Sequence, residues 1–248
     1  MKLNHKIAIV TGGASGFGAG IVKKFATEGA NVVIADLNIE MGEKLSTEIG
    51  ASAMAIKVDV ADSDSVKAMV DEVIKAHGTI DIVVNNAGIG HIPQPLDELC
   101  ETVFDQILNV NAKSVYNMSK YIVPLMKKAG SGAILNVAST GGVSPRPNLT
   151  WYNASKGWMI TATKGMAVEL APFGIRVNAI NPVAGDTPLL KTFMGEDTPE
   201  IREKFLSTIP IGRFSTPEDM GNAACFLCSD DASMVTGIAM EVDGGRCI

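Results

Sequence analysis

The chain has 248 residues, of which 46% are hydrophobic and 19% charged, a globular composition long enough to bury a core without a metal or disulfide staple. A formal net charge of −6, with no Lys/Arg-rich block, argues against a nucleic-acid or anionic-membrane partner. No apolar run approaches the ~20 residues needed to span a bilayer. The segment before Ile7-Ala8-Ile9-Val10 leaves no room for a signal peptide, so the cytoplasm is the expected compartment. Short β-branched runs alternate with helical patterns. In chain order, strands are expected at 7–11, 31–35, 53–58, 80–84, 133–138, 176–180 and 238–242. Helices are expected at 16–29, 38–49, 63–77, 101–129, 152–171 and 217–228. The strand runs are mostly continuous in apolar residues, the mark of strands buried on both faces. The pattern predicts an α/β fold in three layers: a doubly wound, mostly parallel seven-stranded sheet forming one domain over 1–248. Pro182, Pro188, Pro199, Pro210 and Pro217 break the stretch 181–236 into short helices and loops, and a substrate lid is expected around 186–212.

The four cysteines, Cys100, Cys225, Cys228 and Cys247, are sparse for a disulfide framework. Cys225-Phe226-Leu227-Cys228 has C-x-x-C spacing, but neither a second pair nor a histidine stands near it. Two core thiols one helical turn apart are expected there, and no metal site.

The first strand runs into Thr11-Gly12-Gly13-Ala14-Ser15-Gly16-Phe17-Gly18, which opens the first helix. Glycines here let the chain reverse tightly and bring its backbone against a pyrophosphate, while the helix N-terminus offers free N–H groups to the anion. Asp36 ends the second strand, where a carboxylate accepts hydrogen bonds from a ribose 2′-hydroxyl and repels a 2′-phosphate. No Lys or Arg lies in 11–18 or 37–39 to offset that repulsion, so NAD(H) is expected and NADP is disfavoured. Asp59-Val60 ends the third strand and suits either an adenine contact or a helix cap. Asn85-Asn86-Ala87-Gly88 ends the fourth.

Tyr152-Asn153-Ala154-Ser155-Lys156 sets a phenol and an ammonium on one helical face, just after Ser139 at the end of the fifth strand. A cation about 5 Å away at an effective dielectric of ~20 is expected to lower the phenol pKa by about two units, toward the range of a useful acid–base. Ser139 is placed to hold the same substrate oxygen. The sequence repeats the pattern at Tyr116 and Lys120, but mid-helix and remote from any strand end, and that pair is read as packing and solvent.

In this order and at these separations, Thr11-Gly12-x₃-Gly16-x-Gly18, Asn85-Asn86-Ala87-Gly88, Ser139, Tyr152-x₃-Lys156 and Val242-Asp243-Gly244-Gly245 resemble the short-chain dehydrogenase/reductase family over essentially the whole chain. The resemblance implies a Rossmann fold and a catalytic tetrad of Asn111, Ser139, Tyr152 and Lys156. The residues alone do not choose Asn111 over Asn109. It also implies a cofactor set of Gly12, Ser15, Gly16, Phe17, Gly18, Asp36, Leu37, Asp59, Val60, Asn86, Ala87, Gly88, Tyr152, Lys156, Pro182, Val183, Gly185 and Thr187. The loop after the sixth strand departs from the family pattern: Val183 replaces a glycine, and Gly185 falls where a larger residue often stands. A homotetramer packed through the helices at 101–129 and 152–171 is implied as well. Within the family, the segments around Ser139, before Tyr152 and at Glu241–Arg246 are similar to a bacterial group that includes 4-formylbenzenesulfonate dehydrogenase.

The substrate is expected to be a small molecule, a medium-sized apolar or aromatic alcohol, ketone or aldehyde, in a pocket formed by His91, Gly141, Arg146, Trp151, Leu190 and Met194. Arg146 suits a carboxylate or sulfonate, although an exposed surface arginine is the preferred reading. Alternatives are a 3-oxoacyl-[acyl-carrier-protein] reductase, a sugar (glucose) 1-dehydrogenase and, from another class, a non-catalytic dinucleotide sensor. The last would have no need of Tyr152 and Lys156.

Overall fold

The computed structural model describes residues 1–248. Seven strands form one sheet: β1 (Ile7–Thr11), β2 (Asn31–Asp36), β3 (Ala53–Lys57), β4 (Ile82–Asn85), β5 (Gly132–Val137), β6 (Ile175–Pro182) and β7 (Ala239–Val242). Their order is β3-β2-β1-β4-β5-β6-β7, and every pairing is parallel. The order reverses between β1 and β4, so the carboxyl ends of these two strands open a crevice at the switch point.

Both faces of the sheet are buried, which explains the unbroken apolar runs. Ala8 and Val10 of β1 and Val32 and Ile34 of β2 join the core beneath α1 (Gly16–Thr27), α2 (Ile39–Ile49) and α9 (Pro217–Cys228). The alternate residues Ile7, Ile9, Val33 and Ala35 face the core under α3 (Ser63–His77), α5 (Ser114–Ala129) and α6 (Thr150–Leu170). This is the period-two geometry of a strand with helices on both sides. Cys225 and Cys228 are free thiols packed in the first of these cores.

The structure departs from the expected elements in one place that matters for the site. The helix expected over 101–129 is three pieces: α4 (Glu101–Leu108), a π turn at Asn109–Lys113, and α5. The stretch 181–236 is, as expected, short helices and loops: α7 (Pro188–Met194) and α8 (Pro199–Leu206) precede α9, and all three begin on a proline. Proline suits a first helical position because its ring presets φ and its missing N–H has no partner to lose. Pro188, Pro199 and Pro217 therefore break the stretch by starting its short helices. Thr198 caps α8, and Thr216 with Asp219 forms a capping box on α9. No helix is long and apolar enough to cross a membrane.

Candidate active site

The crevice is a cavity of about 530 Å³, within the range of small-molecule and cofactor sites. Every residue assigned to the cofactor from sequence lines it, from Gly12 through Thr187.

At one end is the glycine turn. Gly12 has φ +60°, and a Cβ there would lie 2.9 Å from the Ala87 Cα, so only glycine lets β1 turn this close to the end of β4. The contact is fastened by Thr11. Its hydroxyl donates to the Val84 carbonyl at 3.2 Å and accepts the N–H groups of Asn86 and Ala87 at 3.0 and 3.1 Å. Asn86 Nδ2 donates to the carbonyls of Thr11 and Gly12 at 2.9 and 3.0 Å, holding the turn from the other side.

Asp36 accepts the Ala14 N–H at 3.0 Å through Oδ2 and the Asn38 N–H at 3.0 Å through Oδ1. Its carboxylate is thereby fixed at the cavity wall beside Leu37. Asp59 Oδ1 accepts the Ala61 N–H at 2.9 Å, while the cap of α3 is Asp62. The helix-cap alternative for Asp59 thus falls to its neighbour, and Asp59 stays at the cavity. Val60 is pinned from behind by Asn117 Nδ2, which donates to its carbonyl at 2.9 Å.

At the other end are Ser139, Tyr152 and Lys156. Ser139 leaves β5 in an extended conformation, and its Oγ accepts the Gly141 N–H at 3.0 Å. Tyr152 and Lys156 are buried on the first turns of α6. Lys156 Nζ donates to the Val137 carbonyl at 2.9 Å and lies 5.9 Å from the centre of the Tyr152 ring. Burial pushes the phenol up to about 12, with the Ser139 hydroxyl acting against it, and pushes the ammonium down to about 8. The sequence expectation had the opposite sign for the phenol. A point-charge argument counts the cation and omits the desolvation of both groups, and desolvation dominates here. The second pair is elsewhere: Tyr116 is exposed, Lys120 lies 5.1 Å from the Tyr121 ring, and neither borders the cavity.

Asn111 is fully buried and stands behind the cavity wall, not in it. The π turn carries it, a feature that recurs at functional sites.

The departure in the loop after β6 has a local reason. A Cβ on Gly185 would lie 2.3 Å from Cζ of Phe17, so the Phe17 ring occupies the volume that a side chain at 185 would take. Ser215 braces the same loop: its Oγ donates to the Val183 carbonyl at 3.1 Å, and its backbone joins Ala184 and Asp186. Nothing in the sequence singled out Ser215.

On the substrate side, Gly141, Arg146 and Leu190 line the cavity, while His91, Trp151 and Met194 do not. Trp151 turns away; its Nε1 donates to the Leu96 carbonyl at 3.0 Å and its ring meets Phe104 edge-on at 5.3 Å. His91 is buried, with Nδ1 donating to the Ile92 carbonyl at 2.9 Å. Met194 is buried beside the residue that does face the site. That residue is Phe193, whose ring centre lies 4.8 Å from that of Tyr152 and packs over Gly90. Leu149 and Phe205 complete the apolar wall.

The site fits a nicotinamide dinucleotide. The turn is a cradle that a Cβ would fill, a carboxylate is fixed beside it, and a proton-carrying hydroxyl with a neighbouring ammonium closes the far end.

Comparisons with known proteins agree. A family model described as enoyl-(acyl carrier protein) reductase matches residues 12–246. The chain is 49% identical to 4-formylbenzenesulfonate dehydrogenase TsaC1/TsaC2 of Comamonas testosteroni over the full length of both. It is 41% identical to the 3-oxoacyl-[acyl-carrier-protein] reductase FabG of Thermotoga maritima, again over both full lengths. Among solved structures, the 3-ketoacyl-(acyl-carrier-protein) reductase of Brucella melitensis complexed with NADH superposes with a TM-score of 0.95 at 49% identity, covering 99% of this chain and 100% of that one. The glycine turn, the Ser139–Tyr152–Lys156 group and these relatives lead to one assignment: the chain belongs to the short-chain dehydrogenase/reductase family of oxidoreductases.

Proposed function

We propose that this protein interconverts an alcohol and a ketone or aldehyde with NAD(H), acting on a medium-sized apolar or aromatic substrate. The observation that carries the reading is the convergence of Ser139, Tyr152 and Lys156 on the same cavity as the glycine turn and Asp36. When bound, the nicotinamide cofactor supplies or takes up the hydride. In reduction, Tyr152 Oη gives its proton to the carbonyl oxygen and Ser139 Oγ donates a hydrogen bond to that oxygen, stabilising the charge that develops there. A proton from solvent restores the phenol, so that carbonyl, NADH and H⁺ give alcohol and NAD⁺. Lys156 keeps two N–H groups free beyond its bond to Val137, enough to hold a ribose hydroxyl and orient the phenol.

NAD(H) is preferred over NADP because Asp36 would face a 2′-phosphate. The only cations lining the cavity are Arg146 and Lys156, both in the segments around Tyr152. The cytoplasm and a homotetramer complete the proposal; size-exclusion chromatography with light scattering tests the assembly.

Several of the similar proteins, two of those named above among them, carry the name of an acyl-carrier-protein reductase, which makes that activity the second reading. It calls for a basic docking surface near the cavity mouth. The Lys127-Lys128 pair lies in the last turn of α5, with Lys127 over the Phe173 ring at 4.3 Å. The deciding experiment is Tyr152→Phe. Turnover should fall by at least about a thousandfold while NADH still binds with unchanged fluorescence enhancement; a variant that retains turnover removes Tyr152 from the chemistry.

A further inference from the structure

The cavity wall near Tyr152 carries a positive charge with no counter-charge. Of the chain's arginines, Arg202 and Arg213 hold carboxylates, and Arg176 donates to the carbonyls of Leu227, Ser229 and Val235. Arg146 and Arg246 appear in no ion pair. Arg146 is half-buried, with its guanidinium carbon 4.3 Å from the centre of the Phe205 ring and Nη2 donating to Thr208 Oγ1 at 3.3 Å. Arg246 donates to Ser144 Oγ at 3.1 Å, and its Nε is buried without a partner. Burial and the nearby positive charge of Arg246 both hold the Arg146 guanidinium below its ordinary pKa, as expected where no anion offsets them.

A guanidinium stacked on an aromatic ring keeps its in-plane N–H groups free, the geometry that grips a planar or tetrahedral oxyanion through two hydrogen bonds. The loop bearing it is tied to the catalytic helix. Asn153 Nδ2, one residue after Tyr152, donates to the Arg146 carbonyl at 2.8 Å. The walls shared with this guanidinium are Leu149, Leu190, Phe193 and Phe205, which suit a flat apolar body.

We propose that Arg146 binds a carboxylate or sulfonate on the substrate, so that the substrate class is an anionic aromatic aldehyde or alcohol whose reacting oxygen lies at Tyr152. This rests on the reading of Ser139 and Tyr152 as the carbonyl site and adds the recognition of the opposite end. It also reverses the preferred sequence reading of Arg146 as a plain surface residue.

The test uses the full chain with NADH and three aldehydes: benzaldehyde, 4-carboxybenzaldehyde and 4-formylbenzenesulfonate. In the wild type, kcat/KM for the charged aldehydes should exceed that for benzaldehyde by about 10- to 100-fold, the range of a hydrogen bond to a charged group. Arg146→Gln should bring that ratio near one, and Arg146→Lys should retain part of it. Benzenesulfonate titrated into the enzyme–NADH complex, followed by NADH fluorescence, gives a readout independent of turnover. A ratio near one in the wild type, or one that Arg146→Gln leaves unchanged, overturns the anion site and leaves the alcohol–carbonyl reading standing. Benzenesulfonate binding that depends on Arg146, without turnover of any aldehyde, supports the anion site and removes the aldehyde reading. Loss of NADH affinity in Arg146→Gln, with no effect on benzenesulfonate, assigns Arg146 to the nucleotide and overturns the proposal. Absence of both turnover and Arg146-dependent binding overturns both.

Discussion

Asn111 and Ile89 are joined by two hydrogen bonds: Oδ1 accepts the Ile89 N–H at 2.9 Å, and Nδ2 donates to the Ile89 carbonyl at 2.9 Å. The side-chain amide thus pairs with the backbone as a neighbouring strand would, just past the point where β4 ends. Nδ2 also reaches Ser155 Oγ at 3.0 Å, which links this clamp to the helix of Tyr152. Asn111→Asp keeps the acceptor but loses the donor and buries a charge. We expect kcat to fall about 10- to 100-fold and thermal stability to drop by about 1–3 kcal/mol. Steady-state kinetics and thermal melts measure the two effects, and wild-type values in both would mean the clamp is dispensable.

In the proposed reading, Asp36 sets the cofactor preference. Asp36→Ala removes the carboxylate that would face the ribose and also frees the Ala14 and Asn38 N–H groups to meet a phosphate. The ratio of kcat/KM for NAD over NADP should shrink by about tenfold or more, since a like-charge contact costs on the order of 1–3 kcal/mol at such a site. An unchanged ratio would falsify the assignment of Asp36 to the ribose.

Phe17 and Gly185 share one volume, so their substitutions should not be additive. Gly185→Ile drives a side chain into the Phe17 ring and should cost about 1–3 kcal/mol, with a matching loss of NADH affinity. Phe17→Leu opens that volume. The double variant Phe17→Leu/Gly185→Ile should be more stable than Gly185→Ile alone. Thermal melts and NADH titrations on all four proteins close the cycle, and strictly additive effects would show that the two positions are independent.

In the proposed reaction the buried phenol dictates opposite pH responses in the two directions. With Tyr152 pushed up to about 12, the proton needed for carbonyl reduction is in place across neutral pH, so kcat/KM for reduction should be flat there. Alcohol oxidation needs the phenol to accept a proton and should rise with pH over the same range. Lys156 has a stability consequence as well. It is neutralised near 8 in the folded chain and near 10.5 outside it, so between those values the unfolded chain holds the extra proton and stability rises with pH. Below about 8 the cost is fully present, equivalent to about 3 kcal/mol before allowing for the bond to Val137. Lys156→Met should therefore be inactive yet more stable than the wild type at pH 7, with the advantage shrinking toward pH 10. Denaturant melts across pH 7–10 test this, and a variant less stable than the wild type at pH 7 would refute the burial argument.

Much of this was legible in the sequence because the strands are buried on both faces and the chemistry collects at their carboxyl ends. Tyr152 was separable from Tyr116 on that ground alone. The π turn was not legible, since inserting one residue into a helical pattern leaves no mark in composition; it carries both asparagines, and only the folded structure shows Asn111 buried and Asn109 exposed. Trp151 and Met194 were misplaced for a reason visible in hindsight. Adjacent residues on a helix point about 100° apart, so the neighbours of Tyr152 and Phe193 face away from the site those two line. The contact between Phe17 and Gly185 joins positions far apart in the chain, and only the folded loop brings them together.

Lys156 takes its bearing from the Val137 carbonyl, two residues before Ser139 on the same strand end. Ammonium and hydroxyl are therefore surveyed from a single benchmark. A breathing motion that displaces the tip of β5 carries both along together, and their mutual spacing is insulated from distortions elsewhere in the sheet.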